Sequence, residues 1–449
     1  MTDKPRLIEA AFPLKQASID SVHEKNVHHG HISTLHIWPA RRPLAASRAA
    51  LIAALLDDPG TPEARHKLIE QIGGEVVQKG ETIRENGKIK TAKKDRTVGG
   101  ILHWGRQDDS AVNYFRQQIF EKFGRAPRVL DPFSGGGAIP LEAMRMGCEA
   151  VAVDINPVAW LILKSTLEYP QKLAGEKRSL PDFAVQNRAF MESYYKARKL
   201  SKKQIATVLG SLYESNQLPG MASSKQIDAD LAWHVRAWGL WVLEQAKHDL
   251  ERFFPVIDGK KSIAYLWART VQCKECRADI PLLKTRWLAS KRRIVLTMMP
   301  NSTKTGVIFD VNRRPTDAET GNGTLSKSGA TCPCCNTINT PKDIRAEAVR
   351  TGLGQVMTAV VIEGNKAKEY RNPAIDDTEI FQDIEDYVTA LYAEIPFGIP
   401  QEPISKGGSR RGGGSPFTVH IYGIDQWYKL FTNRQLAVIG TLIKLVYPR

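Results

Sequence analysis

Arg128-Val129-Leu130-Asp131-Pro132-Phe133-Ser134-Gly135-Gly136-Gly137-Ala138 is the stretch that decides the fold. Arg128-Val129-Leu130 reads as a short buried strand. The glycines that follow form a tight turn, and Ala138 to Met146 has helical character, stopped by Gly147. Ala150-Val151-Ala152-Val153 is a second apolar strand, and Asn156-Pro157 opens a further helix running through Leu167. Strand, loop, helix and strand in this order imply a parallel sheet and an α/β fold.

A glycine-rich turn between strand and helix lets backbone N–H groups approach a ligand closely. Dinucleotide sites need G-x-G-x-x-G/A. Gly135 and Gly137 supply the first two glycines, but Pro140 stands at the third. A P-loop needs Gly-Lys-Ser/Thr, and no lysine follows here. What remains is an acid at the strand end, Asp131, followed by Pro132, Phe133, Ser134 and the glycines. That arrangement suits S-adenosylmethionine (SAM), which carries a cationic amino group and a sulfonium instead of phosphates. Asp131 is placed to face the amino-acid end. Asp154, ending the second strand, can accept the ribose hydroxyls, with Ile155 or Asn156 beside the adenine.

Outward from this core the chain has 449 residues, enough for two or three domains. No apolar run reaches the roughly 18 residues needed to span a bilayer, and Met1-Thr2-Asp3-Lys4-Pro5 is not followed by a signal-peptide core, which reads as cytoplasmic. The net charge of +15 favours an anionic partner, nucleic acid above all. Upstream, a helix is expected from Arg42 to Leu56 with Pro43 in its first turn, then an exposed hairpin or loop over 74–98, then a helix from Ala111 to Phe123. Downstream, 171–262 reads as mostly helical, with Trp233, Trp238 and Trp241 as packing residues, and 265–340 as β-rich. Lys406-Gly407-Gly408-Ser409-Arg410-Arg411-Gly412-Gly413-Gly414 is a flexible basic loop, so Lys406, Arg410 and Arg411 are candidate DNA contacts.

Five of the six cysteines fall in two clusters. Cys273-x-x-Cys276 and Cys332-x-x-Cys335 are two-cysteine knuckles, and together they supply the four thiolates of a structural zinc site, with an inserted hairpin between them. Cys334 is then the spare thiol, and Cys148 a buried apolar residue. Pro333-Cys334 could be mistaken for the nucleophile of cytosine ring methylases, but it lies inside the metal-type cluster. Five histidines between His23 and His36 lack acidic or cysteine companions in sequence and read as a solvated or phosphate-facing cluster.

Asp131-Pro132-Phe133-Ser134-Gly135-Gly136-Gly137 is similar to the D-P-F-x-G-x-G SAM motif of amino-methylating DNA methyltransferases. The segment from His23-Glu24-Lys25 through His36-Ile37-Trp38-Pro39-Ala40-Arg41-Arg42-Pro43-Leu44-Ala45 resembles the opening signature of zinc-ribbon, adenine-specific DNA methylases, some of which sit in phage-defence gene clusters. Pro39 stands where that signature has a second tryptophan. Tyr422 to Leu436, with Phe431-Thr432-Asn433-Arg434-Gln435-Leu436, resembles the same family. The resemblance implies a Rossmann-like SAM-dependent methyltransferase interrupted by a helical insertion and a zinc ribbon. It also makes Trp38, Arg41 and Arg42 candidate contacts to SAM or DNA.

The expected organisation is a signature segment over 1–60, the first part of the SAM-binding core over 61–170, a helical insertion over 171–264, a zinc-ribbon-like insertion over 265–345 and a return to the core over 346–449. The implied activity is transfer of methyl to the exocyclic amine of adenine in DNA. That chemistry needs a (D/N/S)-P-P-(Y/F/W) motif, which accepts hydrogen bonds from the amine of the extruded base and stacks on it. The chain contains no Pro-Pro, and Asn372-Pro373-Ala374-Ile375 is the nearest echo, so no catalytic residue is assigned. The expectation is therefore an N-terminal or split portion completed by a segment or partner carrying D-P-P-Y. The alternative is a non-catalytic SAM- and DNA-binding subunit of a modification or phage-defence system.

Overall fold

A computed structural model describes residues 4–27, 30–38, 40–85, 88–105, 110–214, 226–365, 367–404 and 418–447. The chain divides into two units, residues 1–179 with 226–233, and residues 180–225 with 234–449.

After a single helical turn at Leu7–Ala10, the first unit continues with α1 (Leu14–Glu24) and α2 (Leu44–Leu55). Pro43 has extended backbone and forms the boundary, so α2 starts one residue later than Pro43 would allow. Its first N–H groups are capped from a distance. Leu44 and Ala45 donate to the two oxygens of buried Glu24 at 2.9 and 3.1 Å. Then come α3 (Pro62–Gly73), capped by the Thr61 hydroxyl, and a regular antiparallel hairpin, β1 (Glu75–Glu85) with β2 (Lys88–Val98). α4 (Ser110–Phe123) places Phe115 and Ile119 in the core at four-residue spacing.

β3 (Arg128–Asp131), α5 (Ala138–Arg145) and β4 (Glu149–Ala152) form the expected strand–helix–strand unit, with β3 and β4 parallel in the register Leu130↔Val151. α6 (Pro157–Leu163) follows, with Asn156 as its N-cap, and continues through a π-helical turn at 164–168. One apolar core joins these elements and includes Leu7, Ile52, Ile72, Ile101, Phe115, Ile119, Met146 and Cys148. Burial pushes the Cys148 thiol up to about 11, as a packing cysteine requires.

Among the described residues the parallel sheet has only these two strands. One side packs on the core through Val129 and Ala150. On the other, Leu130, Val151 and Val153 are 64%, 47% and 50% exposed.

In the second unit α7 (Arg188–Ala197), α8 (Lys202–Glu214) and most of α9 (Leu231–Leu250) give the expected helical stretch. That stretch ends earlier than its sequence suggests, because the long strand β5 (Lys260–Gln272) begins inside it. Trp233 is buried, but Trp238 is half exposed and sits edge-on against Phe183 and Trp241, so it is only partly a packing residue.

β5 pairs with β6 (Asp279–Pro281), and a separate sheet joins β7 (Ile294–Pro300) to β8 (Val307–Asn312). β9 (Gly329–Thr331) and β10 (Ile338–Asn339) precede α10 (Pro341–Thr351). β11 (Gly354–Ile362) then pairs antiparallel with β5 and with β12 (Glu369–Arg371). Two helices close the described chain, α11 (Ile375–Glu394) and α12 (Asn433–Val446), packed through Val388, Tyr392, Leu436 and Ala437. No helix among the described residues is long and apolar enough to cross a membrane.

Candidate functional site

The loop after β3 is built around two carboxylates. Asp131 is buried, and its Oδ1 accepts the Phe133 N–H at 3.1 Å while its carbonyl accepts the Ser134 hydroxyl at 2.8 Å. Asp154 accepts the Gly135 N–H at 2.7 Å on one oxygen and the Asn156 N–H at 2.8 Å on the other. Asp154 therefore fastens the glycine loop to the end of β4, a task its sequence position did not disclose. Gly135 and Gly137 have φ of +48° and +78°, which only glycine adopts without strain. Phe133 and Ile155 both project into solvent beside this loop.

The N-terminal signature lies directly on the glycines. A Cβ added at Gly135 would stand 2.5 Å from the Trp38 indole nitrogen, and one at Gly136 would meet Trp38 Cβ at 3.2 Å and Arg41 Nη2 at 3.3 Å. Leu163 closes on Gly137 from the other side at 3.0 Å. Arg41 donates from Nη2 to the His36 carbonyl at 2.8 Å, while its Nε and Nη1 are buried with no hydrogen-bond partner among the described residues. Burial pulls the Arg41 pKa below its ordinary value, opposed by the Glu24 carboxylate. Arg42, its neighbour, is exposed.

Two further ties bind the signature to the core. Arg48 Nε reaches Glu142 Oε2 at 2.6 Å, both fully buried, and Arg48 Nη1 donates to the Ile101 carbonyl. His31, expected in a solvated cluster, is 2% exposed, with Nε2 2.9 Å from Glu24 and its ring against Trp104. Its acidic companion lies seven residues away in sequence and was not recognised there. His23 and His36 are exposed, and His28 and His29 lie outside the described residues.

In the second unit Cys273, Cys276, Cys332 and Cys335 converge, with their sulfurs all within 4.8 Å of one another. Pairs at 3.6 and 3.7 Å are far too long for disulfides. They match the roughly 3.8 Å that tetrahedral bonds of about 2.3 Å require between sulfurs. The two knuckles repeat one geometry. Cys273 N–H donates to Ala278, and Cys332 N–H donates to Thr337. Arg277 and Asn336, each following the second cysteine, both adopt positive φ. Asn339 donates to Cys273 Sγ at 3.6 Å as an outer support. The Thr337 hydroxyl and amide draw the Cys335 thiol down to about 6, which favours the thiolate a metal needs. Cys334 points away to the Gly306 carbonyl. These four cysteines could hold a metal ion.

Asn372 has a structural task. It accepts from the Val311 N–H at 2.8 Å and donates to Asp310 at 2.7 Å, which ties β12 to β8. Lys406, Arg410 and Arg411 lie outside the described residues.

Residues 110–218 match the family model of the D12 class N6 adenine-specific DNA methyltransferases. Residues 11–73 match a second model, a protein family of unknown function designated DUF1156. The D12 match contains the Asp131 loop, Asp154 and Glu142, whereas Glu24, Trp38, Arg41 and Arg48 lie in the DUF1156 match. Within the first unit, the contacts described above thus join the DUF1156 match to residues 110–179 of the D12 match around a single loop. No curated protein and no solved structure matches the chain.

Proposed function

We propose that this chain is the SAM-binding portion of a DNA adenine methyltransferase, in which the D12-like loop and the N-terminal signature form one cofactor site. The observation that carries this reading is the seating of Trp38 and Arg41 on Gly135 and Gly136, with Arg41 keeping two unpaired nitrogens there. SAM bears a carboxylate, an ammonium and a ribose diol, and the chain offers a group of suitable chemistry for each. Arg41 would hold the carboxylate. Asp131, whose Oδ2 has no hydrogen-bond partner among the described residues, would take the ammonium. Asp154 would accept ribose hydroxyls on its remaining lone pairs while holding the loop. Pro132, Phe133, Ser134, Ile155 and Asn156 complete the surroundings. When bound, SAM supplies an electrophilic methyl group on its sulfonium.

The acceptor side is where the chain needs a complement. A neutral aromatic amine has its lone pair delocalised into the ring, and a D-P-P-Y-type motif is what turns it toward the sulfonium. The bare apolar side of β3 and β4 supports docking of a complementing segment, because parallel sheets are ordinarily covered on both faces. DNA is the substrate this reading requires, in keeping with the net charge of +15, and zinc is the metal that four clustered thiolates favour. The second reading, a SAM- and DNA-binding subunit without catalysis in a modification or phage-defence system, rests on the absence of any Pro-Pro.

Titration calorimetry tests the cofactor assignment. The chain should bind SAM, and Asp131→Ala should weaken it roughly tenfold to a hundredfold, since a lost charged hydrogen bond costs about 1.5–3 kcal/mol. Absence of SAM binding by the unaltered chain, or an Asp131→Ala variant with unchanged affinity, overturns it.

A further inference from the structure

The late signature Phe431-Thr432-Asn433-Arg434-Gln435-Leu436 also builds something, in the second unit. Phe431 and Arg434 line an open cavity of about 380 Å³ at the start of α12. Opposite them stand Phe254 and the β5 residues Tyr265 and Trp267, which alternate along the strand and so share one face. Four aromatic residues and one arginine thus line the cavity, two of the rings lie against the guanidinium, and no carboxylate is among the described lining residues.

Arg434 is only 9% exposed, and its charge is not matched. Its Cζ sits 3.9 Å from the Tyr265 ring centre and 5.8 Å from that of Phe254. Among the described residues its one hydrogen bond runs from Nη2 to the Asp377 carbonyl at 3.3 Å, and Nε and Nη1 have no partner. The Asp377 carboxylate cannot serve, because Arg371 and the Ala374 N–H already hold it. The Tyr265 hydroxyl, beside the guanidinium, is buried and unpartnered as well. A buried cation and a buried phenol left without acceptors are costly. The cavity therefore presents aromatic surface with an unmatched positive charge behind it.

We infer that this cavity is a nucleic-acid site that takes an unstacked nucleotide of a DNA strand, its base stacked on the aromatic walls beside the Arg434 cation. Aromatic platforms beside a cation are how proteins grip single-stranded nucleic acid. A nucleotide supplies a flat ring for the aromatic surface and, in its phosphate, a negative charge to set against the cation. The inference rests on the reading of DNA as the partner and adds a place where strand distortion is held, apart from the cofactor loop.

The test compares two fluorescein-labelled 12-nucleotide single strands, one bearing thymines and one with abasic sites at the central positions. Both carry the same phosphate charge. The chain should bind the base-bearing strand on the order of tenfold more tightly, the range of one stacked base. Phe431→Ala, at the exposed rim where folding is not at stake, should bring that preference close to unity while leaving affinity for the abasic strand unchanged. Photocrosslinking of a 5-iodouracil strand should label the peptides that contain Tyr265, Trp267 or Phe431. Equal affinity for the two strands, an undiminished preference in Phe431→Ala, or crosslinks confined to other peptides would overturn the inference. SAM calorimetry on the same protein separates the readings. A chain that ignores SAM but shows the base preference loses the methyltransferase assignment and keeps this site.

Discussion

Replacing Arg41 by methionine isolates the contact on which the cofactor reading depends. Methionine is unbranched and keeps the apolar stem while removing the guanidinium, whose Cζ and Nη2 are the atoms beside Gly136, so the loss of that packing is controlled for by a second ligand. In the wild type, Nε and Nη1 are buried and have no partner among the described residues, so a turn of the guanidinium toward a ligand carboxylate would give up no hydrogen bond of theirs. A hydrogen bond between charged groups is worth about 1.5–3 kcal/mol, which is roughly 10- to 150-fold in Kd. The comparison ligand is decarboxylated SAM, which keeps the adenosine, sulfonium and amine and lacks only the carboxylate. Arg41→Met should weaken SAM by that factor and change the affinity for decarboxylated SAM by less than about twofold, an additivity cycle between side chain and ligand group. Arg42→Met, altering an exposed neighbour, should leave both affinities alone. The assay is titration calorimetry at constant pH and salt. Equal losses for the two ligands would mean that Arg41 only supports the loop, and the carboxylate assignment would fall.

Other outcomes follow from the same structure. One zinc ion per chain should be found by elemental analysis, and Cys273→Ser or a strong chelator should lower the Tm, since metal binding at such sites is folding energy; metal-free protein of unchanged Tm refutes this. Arg48→Met should destabilise the first unit by about 3–5 kcal/mol in denaturant unfolding, because Glu142 is left buried with only Arg145 beside it. Adding Glu142→Leu should recover much of that loss, and a double variant no better than the single one would argue against a pairing role. Transfer of labelled methyl from SAM to unmethylated DNA should not occur with residues 1–449 alone and should appear when a polypeptide carrying a D-P-P-Y motif is supplied; robust transfer by the chain by itself would show that another segment orients the amine.

Adjacent residues were enough for some of this molecule. Asp131 at a strand end, positive-φ glycines at 135 and 137, the Asn156-Pro157 helix start and the hairpin over 74–98 are local features, set by dihedral preference, capping and periodicity within a few residues. The convergence of the four cysteines was legible for a related reason, because each knuckle is a fixed three-residue spacing and two such pairs make one four-thiol cluster. Family resemblance marked Trp38, Arg41 and Arg434 as noteworthy and left their tasks open. Only the tertiary structure set Trp38 and Arg41 on glycines about a hundred residues away, gave Asp154 to the Gly135 amide, and paired Arg48 with Glu142. It also turned His31 inward onto Glu24 and left Arg434 without a carboxylate. A charged side chain's role depends on which partners and how much water surround it, and both are determined by packing between distant segments, about which spacing along the chain carries no information.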